Sequence, residues 1–421
     1  MNRENAASTM SGHPRKLLVL SHFYPPDPAS VGQHMADAAR EMSRRGWEVR
    51  VVTSDRGFED PSQRYARREV IDGVNIKRVP WSSFGKKSIF LRAVAMGMFM
   101  LHCLFAVLSE RRVDYILVST SPPLCGFAAA VGKALRRIPF MYWVMDLNPD
   151  QLIVLGKTKD GSLTVRLSNV MQRLILKRAD HVVPLDRFMA ERVNRKLDVS
   201  EKTTTIPPWP HEEAEDLLRH TENWFREKHE LNGCFVLMYS GNHGYSTPVN
   251  SMLDGAQAVS DEGHVRFMFI GGGVRKREVD ERIERDKPEH IISLGYQPME
   301  HLRYSLSAAD VHLVTMESDV VGIVHPCKIY GAMAVGRPIL LLGPSPCHAA
   351  DILEEERIGW RIPTDDAEAL ERAVREVLRT DASELEDMGR KAKRLIDEKY
   401  SKKILCGRLC DLIEAGVDGR S

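Results

Sequence analysis

Several absences narrow what this chain can be. No excess of one charge is present, since Lys and Arg number 59 and Asp and Glu 58. A protein dedicated to nucleic-acid binding usually shows a basic surplus, so we expect no nucleic-acid partner. The seven cysteines are an odd number, and no two of them form a CxxC pair. The pattern supports neither a disulfide framework nor a zinc site, and a reducing cytoplasm is the expected compartment.

Long apolar runs are also missing. The chain opens on polar residues, and the apolar run 17–20 is too short for the core of a signal peptide, so we expect no cleaved leader. The most apolar segment, residues 93–108, is interrupted by His102, and it falls short of the roughly 20 residues that a membrane span needs. Two interpretations stay open for it, a buried helix of a large domain or a helix that dips into the membrane interface. Basic residues that could meet anionic lipid flank it, namely Lys86, Lys87, Arg92, Arg111 and Arg112.

The fold class follows from length and periodicity. At roughly 150 residues per domain, 421 residues predict two or three domains. Residues 17–21 are a short apolar run typical of a strand buried on both faces, residues 34–45 show helical spacing, and residues 48–53 read as the next strand. The same alternation recurs through both halves. It predicts an α/β protein with two doubly wound, Rossmann-like domains that face each other across a cleft.

The domain limits come from composition. Residues 1–14 are predicted to be a flexible tail, and residues 15–210 the first domain. Prolines 207, 208 and 210 end this half. Residues 211–398 are predicted to be the second domain. Residues 399–421 are predicted to form a terminal helix that packs back on the first domain.

The stretch HPCKIYGAMAVGRPIL, residues 325–340, is the strongest candidate for a binding turn. Pro326 suits the first turn of a helix, which would also hold Lys328, where the helix dipole disfavours a cation. A bound anion would remove that conflict, and free N–H groups around Lys328 would face it. The alternative is a lysine that points to solvent. The residues assigned to donor binding here are His325, Pro326, Cys327, Lys328 and Tyr330, with Lys328 also predicted to be catalytic.

Two glycine loops follow strands of the second half, SGNHG at 240–244 and GGGVRK at 271–276. Glycines let backbone N–H groups approach a phosphate closely. The first loop lacks the full GxGxxG spacing, so an ordinary tight turn is its alternative. Arg275 and Lys276 could reach a phosphate or be solvated. The predicted donor contacts in this region are Gly241, Asn242, Gly272, Gly273, Lys276 and, after a later strand, Tyr296.

The first half offers fewer candidates. Gly32 precedes a helix and would face the same cleft, and DLNPD at 146–150 follows a strand and offers two carboxylates. Asp146 is predicted to orient a sugar or the acceptor as a catalytic residue, whereas Gly32 and Asp150 are predicted on the acceptor side. The alternative for both aspartates is a loop or helix-capping role.

These motifs, in this order, resemble the retaining family-4 glycosyltransferases, which have the two-domain GT-B fold. The opening SHFYPPDPASVGQHMADAAREMSRRGWEVRVVTS and the later YSGNHG, FIGGGVRK, LSAADVHLV and KIYGAMAVGRPIL carry the resemblance over roughly residues 15–400. Within the family the chain is most similar to bacterial surface-polysaccharide transferases with SPP, DLxP and PSK.Y elements. They correspond here to residues 121–123, 146–149 and 326–330.

The sequence departs from the family at specific positions. The family carries two glutamates eight residues apart, and the alignment places Ile323 and Gly331 there, so Glu317 or Asp319 is the candidate substitute for ribose binding. The family's Arg and Lys after the first glycine loop are absent, and Lys328 and Lys276 are the replacement cations. A histidine that the first domain often contributes aligns with Met145.

The resemblance implies transfer of a sugar from a nucleotide diphosphate sugar, by default linked to uridine, to a lipid-linked or polysaccharide acceptor with retention. It implies that the first domain, residues 15–210, binds the acceptor and that the second domain, residues 211–398, binds the nucleotide sugar. It implies no metal or other cofactor, in agreement with the absence of a DxD motif. The expected location is the inner face of the cytoplasmic membrane, with peripheral contact through residues 93–108. Two alternatives remain, a sugar-nucleotide 2-epimerase of the same fold and a catalytically degenerate scaffold.

Overall fold

The fold is seen in a computed structural model that describes residues 13–57, 62–82, 89–211, 216–245 and 247–419. The predicted tail, up to residue 12, and the basic pair Lys86 and Lys87 lie outside the described residues. Within them, two separate β-sheets are each flanked by helices. The predicted α/β class with two doubly wound sheets is confirmed.

The first sheet has seven strands in the order β3-β4-β2-β1-β5-β6-β7. Its strands are β1 (Lys16–Leu20), β2 (Glu48–Ser54), β3 (Arg68–Ile71), β4 (Val74–Val79), β5 (Tyr115–Ser119), β6 (Phe140–Val144) and β7 (His181–Pro184). The central strands β5 and β6 are buried at every residue, as their continuous apolar sequences require. All neighbours pair in parallel except β3 and β4.

In the described part of the first half, six helices lie between or beside the strands of this sheet. They are α1 (Ser30–Arg44), α2 (Ile89–Ser109), α3 (Gly126–Arg136), α4 (Asp150–Val154), α5 (Leu163–Arg178) and α6 (Arg187–Lys196). Helix α2 contains the apolar segment 93–108. Among the described residues, no helix is both long and apolar enough to cross a membrane.

The second sheet has six parallel strands in the order β10-β9-β8-β11-β12-β13. They are β8 (Phe235–Ser240), β9 (Val265–Ile270), β10 (Ile291–Leu294), β11 (Val311–Thr315), β12 (Ile339–Leu342) and β13 (Gly359–Ile362). Its helices are α7 (Trp224–Lys228), α8 (Val249–Ala258), α9 (Lys276–Asp286), α10 (Leu302–Ser307), α11 (Lys328–Ala334), α12 (His348–Glu356), α13 (Ala367–Arg379) and α14 (Ala382–Leu395).

The end of the chain returns to the first half. After α14 and a π-helical turn, Ile396–Tyr400, the last helix α15 (Lys402–Asp418) packs against α1. Its buried Cys406 and Cys410 lie in the same apolar core as Met35 and Met42 of α1. Arg45, just after α1, pairs with Asp411 and Glu414 of α15. The packing and these ion pairs hold the terminal helix on the first half.

The β3–β4 hairpin has no counterpart in the sequence reading, which expected strands joined by helices throughout. The two strands pair antiparallel, Ile71 opposite Val74, around a two-residue turn at Asp72 and Gly73. Both turn residues have positive φ, the geometry of the tight Asp-Gly hairpin. The Asp-Gly dipeptide was the available signal, and the hairpin places basic residues at the edge of the sheet.

Candidate active site

The two glycine loops of the second half lie against each other at the carboxyl ends of β8 and β9. The N–H of His243 donates to the carbonyl of Gly272 (2.7 Å), and the N–H of Arg275 donates to the carbonyl of His243 (3.1 Å). Gly241 and Gly271 both have positive φ, and a side chain at Gly271 would collide with the carbonyl oxygen of Gly241. Glycine is therefore needed for this close approach, which leaves an open backbone surface at the strand ends.

Lys328, the first residue of α11, reaches this surface. Its Nζ lies 4.9 Å from the centroid of the Tyr239 ring. Its Cε lies 2.8 Å from where a Cβ on Gly241 would be. Across the described residues, no carboxylate lies within ion-pairing distance of its ammonium group. An unpaired cation beside glycine loops is suited to bind a phosphate.

The turn itself supplies fewer donors than expected. The N–H of Cys327 donates to the carbonyl of His325 (2.9 Å), and the N–H of Ile329 donates to the carbonyl of Pro326 (3.2 Å). The sequence predicted that the N–H groups around Lys328 would be free to bind an anion. For the N–H groups of Cys327 and Ile329 that prediction is wrong, because carbonyl groups of the same tight turn accept from them. Positive charge at this place therefore comes mainly from the side chain of Lys328.

Asp146 approaches from the opposite half of the molecule. Thr120 Oγ1 accepts hydrogen bonds from the N–H groups of Met145 and Asp146, 3.0 Å each, which fixes the loop after β6. The next N–H, of Leu147, donates to the carbonyl of Ile323 in the second half (2.9 Å). In the described part of the chain, no group hydrogen-bonds the Asp146 carboxylate, and burial raises its pKa to about 6.

Cys327 lies near both the Lys328 ammonium and the Asp146 carboxylate. The pKa of its thiol is raised to about 12, first by desolvation and then by the Asp146 carboxylate, whereas the Lys328 ammonium opposes the shift. Both charged groups are therefore near the Cys327 thiol. The structure thus brings together the two residues predicted to be catalytic, Lys328 and Asp146, although they are distant in sequence.

Other predicted residues are engaged elsewhere. The ammonium of Lys276 pairs with Asp280 (2.8 Å) and donates to Ser293, so it does not face the Gly241 loop as a free cation. Asp150 pairs with Lys196 within the first half. Local partners therefore satisfy both charges, and neither is available to a ligand without breaking an ion pair.

The remaining predicted contacts lie beside the glycine loops, in the turn before Lys328 or in the first half of the chain. The Tyr296 ring lies directly over Gly272 and is 49 % exposed, so it offers an aromatic face beside the glycine loops. Asn242 is exposed, and Gly273 adjoins it, with a positive φ. Pro326 is buried in the turn. Gly32 lies in the first turn of α1 and packs on the backbone of residues 23–24.

Ile323 and Gly331 occupy the two positions that carry glutamates in the resembled family, and their surroundings differ. Ile323 is fully buried in the apolar core, where a carboxylate would be costly. Gly331 lies inside α11, and a Cβ there would only touch Leu306 at 3.6 Å. Glu317 follows β11 on the cleft side, near Arg275, and burial raises its pKa. Glu317 thus stays a candidate for ribose binding.

A buried polar network joins the two halves behind Lys328. His325 shares one hydrogen bond with Asp186 (Nδ1 to Oδ2, 2.7 Å) and another with the Tyr330 hydroxyl (Nε2 to Oη, 2.9 Å). The same hydroxyl lies 2.9 Å from Nε2 of His348. Both ring nitrogens of His325 and the Tyr330 hydroxyl are therefore occupied. These two predicted donor contacts instead support the turn.

Asp186 and His348 were missed by the sequence reading. Asp186 follows β7 and caps α6 by accepting from the N–H of Met189 (2.7 Å). Burial alone would raise the pKa of the Asp186 carboxyl, but its hydrogen bond to His325 and the charge of that ring outweigh burial, and the pKa lies below its usual value. Burial, followed by the neighbouring His325, lowers the pKa of His348 to about 3. The only sequence signal was the position of Asp186 at a strand end.

Substituting Asp186 by asparagine should destabilise the protein by about 2 kcal/mol at pH 7, because the buried hydrogen bond between His325 and a carboxylate is replaced by one to a neutral amide. The cap on α6 should survive, since asparagine also caps helices. The Asp186 contribution is fully present above the unfolded pKa of about 4 and is lost as the pH falls through the lower pKa of the folded state, so the variant and the wild type should converge in acid. Urea unfolding at pH 7 and pH 3 measures both.

The matched control is Asp366→Asn. Asp366 caps α13 by accepting from the N–H of Ala369 (2.7 Å) but has no histidine partner among the described residues. Its replacement should change stability by only a few tenths of a kcal/mol. Equal effects of the two substitutions would show that the Asp186–His325 contact contributes nothing beyond capping.

Metal ligands are not grouped in the part of the chain that the structure describes. No set of three or more His, Cys, Asp or Glu side chains there could hold a metal ion.

Comparison with protein families finds two matches in succession. Residues 30–209 match the family described as glycosyl transferase 4-like domain, and residues 234–380 match glycosyl transferases group 1. The first match covers most of the first sheet and its helices, and the second covers the glycine loops, the Lys328 turn and the second sheet. Together the two families account for more than three quarters of the chain.

Two curated relatives are described as glycosyltransferases. The chain is 28% identical over 294 residues to a probable glycosyltransferase, WbjE, of Pseudomonas aeruginosa, a match that covers 70% of this chain and 72% of the relative. It is 22% identical over 378 residues to a putative colanic acid biosynthesis glycosyl transferase, WcaI, of Escherichia coli K12 (86% and 92% covered). Among solved structures, Anabaena HepE in complex with UDP and glucose superposes with a TM-score of 0.68 at 13% identity, covering 96% of this chain and 100% of that one.

Proposed function

The chain belongs to the family-4 glycosyltransferases of GT-B fold, and from that membership we propose that it moves a sugar from a nucleoside diphosphate sugar to a lipid-linked or polysaccharide acceptor. The pathway proposed is cell-surface polysaccharide biosynthesis, because the relatives include a colanic acid transferase. Uridine is the proposed base, since HepE was solved with UDP. Retention of anomeric configuration completes the proposal.

The observation that carries this proposal is the unpaired Lys328 ammonium beside the Gly241 loop. In the transfer, the bond from the anomeric carbon to the diphosphate oxygen breaks, a bond from that carbon to the acceptor oxygen forms on the same face, and the proton of the acceptor hydroxyl passes to the departing diphosphate. Negative charge grows on the departing diphosphate. Lys328, poised in a cleft between two low-dielectric halves, would stabilise that charge, so we propose a metal-independent reaction.

Asp146 is the proposed contact to the sugar or the acceptor. Its pKa of about 6 leaves the carboxyl ionised at pH 7 to 8, where it can accept a hydrogen bond from a hydroxyl group. Its position on the first half, opposite Lys328, suits a group that touches both substrates. We propose that Tyr296, which lies beside Gly272 and is 49 % exposed, packs near the nucleobase.

The proposed location is the inner face of the cytoplasmic membrane, with peripheral contact through residues 93–108. Leu101 and Phe105 of this segment are 59 % and 65 % exposed, unlike the residues of a buried helix. Exposed apolar residues on an otherwise folded helix are typical of interfacial binding.

The test of the proposed function is a release assay. The purified protein is incubated with UDP-sugars, with and without membrane-extracted glycolipid, and free UDP and sugar products are separated by chromatography. We expect UDP to accumulate only when an acceptor is present. Conversion of one UDP-sugar into another without acceptor would contradict the proposal.

A further inference from the structure

Helices α2, α3 and α5 form one layer on the first sheet, here called the outer helix layer. Helix α3 packs between the other two. Helix α2 exposes an apolar stripe, Leu91, Val94, Leu101, Phe105 and Leu108. The spacing of three, four or seven residues keeps these side chains on one face of the helix. An exposed apolar stripe of this length is typical of a surface that binds a protein or a membrane.

Helix α5 carries a second stripe of the same kind. Leu163, Leu167, Val170 and Leu174 are all exposed, Leu163 by 82 %. Leu135 near the end of α3 is exposed between the two stripes. Ten of the nineteen large apolar side chains exposed in the described residues lie on these three helices. The apolar surface therefore extends well beyond residues 93–108.

The charge of the outer helix layer identifies the partner. Its three helices contain seven Lys and Arg but no Asp or Glu, although about one residue in seven of the whole chain is acidic. The two acidic residues next to these helices, Glu110 and Asp180, are neutralised by Lys16, Arg50 and Lys133. A surface that is apolar and cationic without acids is complementary to an anionic lipid bilayer.

A groove at the edge of this layer adds more cations. It has a volume of about 520 Å³ and lies between α2 and the β3–β4 hairpin. Arg67, Arg68 and Lys77 line it, together with Leu101 and Phe105 of the α2 stripe. No described carboxylate forms an ion pair with these three cations. The Lys77 ammonium lies 6.0 Å from the Phe105 ring centroid, so charge and apolar surface are adjacent here.

We propose that the whole outer helix layer is a docking surface for an anionic lipid bilayer. The stripes of both α2 and α5 enter the interface, and Arg67, Arg68 and Lys77 bind lipid phosphates at its edge. This rests on the proposed membrane contact of residues 93–108 and adds α5 and the groove to it. Because the two stripes lie on either side of α3, they fix the orientation of the first half on the membrane.

The test is co-sedimentation of the full chain with vesicles of phosphatidylcholine alone or with about 30% phosphatidylglycerol. Wild type should bind the anionic vesicles, and added salt should weaken binding by screening the cations. Leu167→Glu/Val170→Glu, on α5 alone, should weaken binding by at least about tenfold, because charge is costly in the interface. Arg67→Glu/Arg68→Glu should weaken binding to anionic vesicles in the same direction.

The controls separate this inference from the α2 proposal. Arg372→Glu, a charge reversal on exposed α13, should bind like wild type. Arg166→Glu/Arg173→Glu changes only exposed side chains of α5 and serves if the apolar variant does not fold. Wild-type binding by the α5 variants would overturn the two-stripe surface. Wild-type binding by Leu101→Glu/Phe105→Glu would instead overturn the α2 contact. If the wild type binds no vesicles, both the two-stripe surface and the α2 contact are overturned. The proposed donor site does not depend on this result, because nucleotide binding is measured without membranes.

Discussion

Replacing Lys328 by alanine should lower the rate of glycosyl transfer by about 100- to 1000-fold, the usual loss when one stabilising donor at a developing charge is removed. The described residues offer its ammonium no carboxylate partner, and it borders the Gly241 loop. The fold should be unaffected, since no ion pair is broken. Initial rates at saturating donor, with the thermal unfolding midpoint as a check, measure the effect.

Lys276→Ala is the matched control. Both lysines lie near the glycine loops, but Lys276 is paired with Asp280 and Ser293. Its replacement should therefore lower stability and leave the chemical step much less affected. Wild-type turnover by Lys328→Ala, or an equal loss in the two variants, would refute the role assigned to Lys328.

Replacing Asp146 by asparagine should have opposite effects on rate and stability. Transfer should fall by about 100-fold, the loss expected when a group that positions a substrate is removed. Burial raises the pKa of Asp146 to about 6 from its usual 3.8, so the folded chain carries an unfavourable charge at pH 8. The variant should then be more stable there by up to about 3 kcal/mol, since one pKa unit corresponds to about 1.4 kcal/mol.

The stability gained by replacing Asp146 should depend on pH. The difference in unfolding free energy between variant and wild type should grow as the pH rises from 4 to 6 and vanish below 4, where Asp146 is protonated in both states. Asp150→Asn is the control in the same loop. It removes the ion pair to Lys196 and should destabilise the protein at pH 8. A loss of stability in both variants would contradict a buried, unpaired Asp146.

The sequence predicts the parts of this fold that depend on local pattern. The strands predicted at 17–21 and 48–53 agree within one residue with β1 (Lys16–Leu20) and β2 (Glu48–Ser54), because strands covered by helices on both faces of a sheet are apolar runs. The β3–β4 hairpin was missed because β3 has only four residues and none of them is fully buried. An Asp-Gly turn between weak patterns was outweighed by the strong alternation around it.

The candidate site shows a different limit. Motifs placed the candidate residues on loops that follow strands, where open α/β sheets bind ligands. They assigned roles to Lys276 and Asp150 as well as to Lys328 and Asp146, but they could not show that Lys276 and Asp150 form ion pairs. Ser293, which accepts from Lys276, and Lys196, which pairs with Asp150, come from other elements of the fold. The Asp186–His325 contact spans 139 positions and crosses between the two halves, so no local pattern could reveal it.

The most direct test of the account is a thermal-shift titration of the purified protein with UDP, GDP, ADP and their common sugars in the presence of EDTA. A ligand that binds only the folded state raises the unfolding midpoint. The account predicts a shift with a uridine nucleotide in EDTA, and loss of most of that shift in Lys328→Ala. A flat response to every nucleotide, or a shift that appears only with Mg²⁺, would contradict a metal-independent donor site centred on Lys328.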